Sequence, residues 1–79
     1  MRRRYYVLAD TYEKAISASF YLGTRREDIV FVNSKEKLAG LRGGTLYVVE
    51  PYRPSNSDRN KEIIEYAETR YFLVIYINP

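Results

Sequence analysis

Cysteine and histidine are both absent from the 79 residues, and these two absences remove a large part of enzyme chemistry before any motif is considered. Without cysteine there is no disulfide framework, no thiolate nucleophile and no cysteine metal site, a composition compatible with a reducing cytosol. Without histidine a zinc site would rest on carboxylates alone, and neither a catalytic triad nor an imidazole base can be assembled. Tryptophan is missing too, whereas tyrosine occurs nine times. Tyrosine joins a large apolar body to a hydroxyl that seeks water or a partner, so many of these side chains are expected at the core boundary or in an interface.

Long hydrophobic runs are also lacking. No stretch approaches the ~18 consecutive apolar residues of a membrane-spanning helix. The basic opening Met1-Arg2-Arg3-Arg4 is not followed by a signal-peptide apolar segment, because Asp10, Glu13 and Lys14 interrupt it. The expectation is a cytoplasmic chain with no membrane partner, forming a single domain over residues 1–79. At this size folding hides only roughly 60 to 65% of the unfolded chain's surface, so the core is thin.

What is present is a regular alternation. Tyr5 to Ala9 reads as a first strand, and Asp10 with Glu13 three residues on has the form of a capping box. Ala15, Ile16, Ser19 and Leu22 then recur at helical spacing, with Tyr12 and Phe20 in reach of that stripe and Gly23 as the stop. Asp28 to Val32 is nearly continuously apolar, as in a parallel strand covered on both faces. Asn33 with Glu36 repeats the capping pattern, and Lys35 to Leu41 reads as a short helix closed by Gly40, Gly43 and Gly44. Thr45 to Val49 is a third strand, stopped by Glu50-Pro51. Ser57 to Arg70 carries Ile63, Ile64 and Ala67 at helical spacing, and Tyr71 to Ile77 is the clearest strand of all.

The order β-α-β-α-β-α-β predicts an α/β fold, a four-stranded, mainly parallel sheet with right-handed crossovers. It is a minimal Rossmann-like, three-layer arrangement with sparse helix cover. Strand orders 3-2-1-4 and 2-1-3-4 both fit, and the loop from Glu50 to Ser57 suggests that the last helix changes face there. Sparse cover leaves room for a homo-oligomeric or partner interface built from tyrosines.

A parallel sheet sorts polar residues without coordinates, since all strand starts share one edge. Arg2, Arg3 and Arg4, then Arg25 and Arg26, then Arg42, then Arg70 each precede a strand. Net charge is +3, and arginine offers a planar fork suited to phosphate or carboxylate. With Tyr5, Tyr6 and Tyr71 at the same edge, this is the composition of a surface that contacts phosphates and stacks on bases; the expected partner is nucleic acid or an acidic protein. The opposite edge collects Asp10, Asn33, Ser34, Glu50 and Arg53 into a candidate strand-end crevice, where open α/β sheets hold ligands. Asp10 and Glu50 there suggest an alternative, a magnesium-dependent phosphoryl-transfer or nucleotide-handling enzyme. No Gly-x-Gly-x-x-Gly follows the first strand and no Gly-x-x-x-x-Gly-Lys-Ser/Thr occurs, so a standard phosphate cradle is contradicted and no cofactor is expected.

Tyr6-Val7-Leu8-Ala9, Arg26-Glu27-Asp28-Ile29-Val30-Phe31-Val32, and Leu38-Ala39-Gly40-Leu41-Arg42-Gly43-Gly44 ahead of Thr45-Leu46-Tyr47-Val48-Val49 together resemble small Rossmann-like proteins of tailed bacteriophages. The resemblance spans nearly the whole chain and implies a non-enzymatic viral accessory or adaptor protein in the host cytoplasm. The segment from Leu38 to Gly43 is also similar to the stretch ahead of Walker B in phage terminase and helicase ATPases, and Leu46 to Glu50 looks like Walker B itself. No Walker A partner accompanies it, so no catalytic residue is carried over. A third reading is a structural or oligomeric protein using a tyrosine-rich face.

Overall fold

The computed structural model describes residues 3–79. Four strands, β1 (Tyr5–Leu8), β2 (Ile29–Val32), β3 (Gly44–Val49) and β4 (Phe72–Ile77), form one parallel sheet in the order β2-β1-β3-β4. Two α-helices, α1 (Tyr12–Leu22) and α2 (Ser57–Thr69), pack against it. The expected α/β architecture is therefore present, with the second of the two admissible strand orders.

The middle helix is reduced to a single 3-10 turn, Lys35–Leu38. Ala39 is already extended at φ −62°, ψ 137°, and Gly40 follows at φ 80°, so the segment ends before α-helical hydrogen bonding can propagate. Its capping pattern does not form either, because Ser34 rather than Asn33 precedes the turn and makes no side-chain cap bond. In α1 the cap is displaced by one residue: Thr11 is extended at φ −137° and accepts the Lys14 N–H at 3.2 Å, which leaves the Asp10 carboxylate for another task. Gly23 closes that helix at φ 66°.

Strand alternation divides the core. Leu8, Val32, Leu46, Val48 and Phe72 point to one face and pack with Leu38 of the 3-10 turn and with Ile63 and Ala67 of α2. Val7, Ala9, Ile29, Val49 and Ile77 point to the other and meet Ala15 and Ala18 of α1. The small residues of α1 bring its backbone close to the sheet, while Phe20 turns to solvent, 83% exposed, outside the buried stripe. Tyr12 keeps an edge-on contact with Phe31 at 6.0 Å.

The change of face occurs after β2, not in the loop following β3. From β1 the chain steps outward to β2 over the α1 face; from β2 it must return past β1 to β3, and then on to β4. Two right-handed crossovers running opposite to the first lie on the opposite face, so the Lys35–Leu38 turn and α2 share one side and α1 holds the other alone. One consequence is that the β4 side of the α1 face has no helix over it: Leu73 is 62% exposed.

Candidate functional site

Because every strand is parallel, the residues that enter the strands share one edge. Arg3 and Arg4 precede β1, Arg25 and Arg26 precede β2, Arg42 precedes β3, and Arg70 precedes β4. All but Arg70 are exposed, and Arg70 is half-buried as the residue that ends α2. Arg2 lies outside the described residues. The ion pairs formed among the described residues, Lys14 to Asp10 at 3.3 Å and Lys35 to Glu62 at 2.9 Å, are both at the other end of the sheet. Glu27 and Asp28 dilute the charge of this edge without matching it.

Aromatic rings are interleaved with the guanidinium groups. Arg3 lies 6.0 Å from the centre of the Tyr5 ring, Arg42 6.0 Å from Tyr71, and Arg70 5.3 Å from Tyr66. Tyr5 itself sits 6.3 Å from Tyr47 with the rings tilted by 34°. Arg3, Arg4, Tyr5, Tyr6, Thr45 and Tyr47 line a cleft of about 350 Å³ at this edge.

Tyr71 lies at this edge as expected, but its backbone departs from the strand that the sequence suggests. It occupies the position after the end of α2 in the left-handed region, φ 64°, donates its N–H to Glu68 O at 3.1 Å, and leaves its ring 75% exposed. Glycine is the usual residue at such a position, and a tyrosine there costs on the order of 1 kcal/mol. Its sequence signal was concealed by the apolar run it introduces, which reads as strand. The adjoining backbone is held by the Gly43 N–H on Arg70 O at 2.7 Å. Glycine suits position 44, where φ is 129° and a Cβ would stand 3.2 Å from the Phe72 ring, which would have to shift by a few tenths of an ångström.

At the opposite edge the strand ends are occupied by the protein itself. The Asp10 side chain is 1% exposed; its Oδ2 accepts from the Arg53 N–H at 2.9 Å and from Lys14 Nζ at 3.3 Å, and its Oδ1 accepts from Asn56 Nδ2 at 2.7 Å. Burial works against the charged carboxylate, but the bonds from Asn56, Arg53 and Lys14, with the Lys14 charge, outweigh it and hold the Asp10 pKa below its ordinary value. Arg53 therefore meets Asp10 through its backbone. Asn33 and Ser34 line a separate cleft of about 130 Å³ with Lys35 and Glu36. Glu50 lines a third depression, about 630 Å³, with Lys14, Phe20, Tyr21 and Pro51. Among the described residues no group of three or more carboxylates is placed to hold a metal ion.

Two residues of this edge escaped sequence reading. Arg59 of α2 donates to the Ala9 carbonyl and to Asn60 Oδ1, both at 3.1 Å, tying the helix to the end of β1. Asn60 is wholly buried, and its Nδ2 has no hydrogen-bond partner among the described residues. Helical periodicity marks both as polar and cannot reveal a partner reached only through folding.

No protein-family model matches the chain, and no curated protein or solved structure matches it. Its functional reading rests on the geometry above.

Proposed function

We propose that this protein is a non-enzymatic accessory factor that binds single-stranded nucleic acid along the arginine-rich edge at the strand N-termini. The observation that carries this reading is the convergence of Arg3, Arg4, Arg25, Arg26, Arg42 and Arg70 on one edge with exposed tyrosine between them. Guanidinium groups neutralise phosphates and release counterions, and an aromatic ring offers a face on which any base stacks. A left-handed tyrosine supports the same reading. Backbone strain of this kind persists where a side chain is wanted in one place, and the Tyr71 ring is held outward beside Arg42.

At the other edge, both Asp10 oxygens are engaged by Arg53, Asn56 and Lys14. A cation held by Asp10 and Glu50 would have to displace those donors, which favours binding over metal-dependent chemistry.

The test is an amide NMR titration with a short single strand and a short duplex, at roughly 50 and 200 mM salt. Shifts on Arg3 to Tyr6, Arg25, Arg26, Arg42 and Tyr71, larger for the single strand and fading with salt, are expected. Equal, salt-dependent shifts with an acidic peptide and none specific to nucleotides would transfer the edge to an acidic protein partner. No shift with any of the three would remove this function.

A further inference from the structure

β4 is the outer strand on one side of the sheet, and it lacks the devices that protect natural edges: charge, proline, a bulge, or shortness. It runs through six residues, Phe72-Leu73-Val74-Ile75-Tyr76-Ile77, in unbroken register with β3. The opposite outer strand, β2, has four residues and is preceded directly by Glu27 and Asp28. Leu73 and Tyr76 are 62% and 52% exposed on the two faces of β4.

The direction of the free backbone groups follows from one bond. Ile77 O accepts the Glu50 N–H at 2.8 Å, so the Ile77 carbonyl points inward toward β3. Backbone polar groups alternate sides along a strand, so those of Leu73 and Ile75 also point inward, and those of Phe72, Val74 and Tyr76 point out from the sheet.

We propose that this edge pairs antiparallel with β4 of a second copy of the chain, about a two-fold axis beside Val74, making one continuous sheet from two. In that register Phe72 and Tyr76 of one copy face Tyr76 and Phe72 of the other, Leu73 and Ile75 face Ile75 and Leu73, and Val74 faces itself. Every opposed pair is apolar or aromatic, and Phe72, Val74 and Tyr76 exchange hydrogen bonds across the seam. The strand matches itself in length, and the two-fold closes the assembly so that neither β4 edge stays free. The placement of charge permits this occupant. Each copy carries +3, and the antiparallel two-fold sends the two arginine edges to opposite ends of the joined sheet, while no charged side chain lies within the seam.

The test combines sedimentation equilibrium of the full chain, over a wide range up to millimolar, with amide hydrogen exchange at low and high concentration. A reversible dimer is expected, with exchange at Val74 and Tyr76 slowing as concentration rises and exchange at Leu73 and Ile75 unchanged, because those two amides already bond to β3. Leu73→Lys changes an exposed side chain and is expected to weaken association roughly tenfold or more, by removing two apolar cross-strand pairs and bringing two ammonium groups to the seam. A wild type that stays monomeric throughout overturns the proposal. So does a dimer that forms without protecting Val74 and Tyr76, a readout that stands even if Leu73→Lys fails to fold.

Discussion

Asp10 and Arg53 are 43 residues apart in sequence, yet the Arg53 N–H donates to Asp10 Oδ2 at 2.9 Å. With Asn56 Nδ2 on the other oxygen at 2.7 Å, the carboxylate fastens the loop between β3 and α2 to the end of β1. The loop leading to α2 is thus held by a buried charge that satisfies backbone and side-chain donors together.

Asp10→Asn keeps the shape but turns one acceptor into a donor facing other donors. The expected cost is about 1 to 3 kcal/mol of unfolding free energy, measured by urea denaturation. The pH dependence has a definite sign. A carboxylate whose pKa is lower in the folded state contributes stability that is fully present above its unfolded value, about 3.9, and lost as pH falls through the depressed folded value. The difference in melting temperature between wild type and Asp10→Asn should therefore be constant near neutrality and shrink only below that unfolded value. A difference that stayed constant through the acid range would refute the clasp.

Tyr71→Gly should divide stability from binding. Glycine relieves the left-handed backbone at φ 64°, so the variant is expected to melt higher, by up to about 1 kcal/mol of stability. It also removes the exposed ring, and single-strand affinity should drop by about 1 to 3 kcal/mol if a base stacks there. A variant that is more stable and binds equally well would show that the ring has no part in binding.

Arg25→Ala with Arg26→Ala removes two exposed cations ahead of β2 without touching the core. If both contact phosphates, the slope of log affinity against log salt should become shallower by about 1.4 for a single strand. Fluorescence anisotropy over a salt series measures this, and an unchanged slope would exclude the pair from the interface.

The cap of α1 shows how local and long-range information differ. Asp10 with Glu13 satisfies the spacing of a capping box, and Thr11 supplies the same chemistry one position later. Local pattern cannot choose between them; the choice was made by Arg53 and Asn56, which claim Asp10. The short segment from Lys35 to Leu41 failed as an α-helix for a related reason. Its few apolar residues suit helix or turn, and packing of Leu38 against Ile63 required only the turn.

By itself the sequence determined the four strands and the two α-helices, because apolar runs and stop signals act within a few residues of one another. It also determined the basic edge, since an arginine before each of four parallel strands must share one end whatever their order. Only the tertiary structure decided the order β2-β1-β3-β4, the common face of the Lys35–Leu38 turn and α2, the partners of Asp10, the left-handed backbone of Tyr71 and the undefended edge of β4. Each of these depends on residues far apart in the chain meeting in space, and strand order, handed crossovers and competition for hydrogen-bond donors have no local signature.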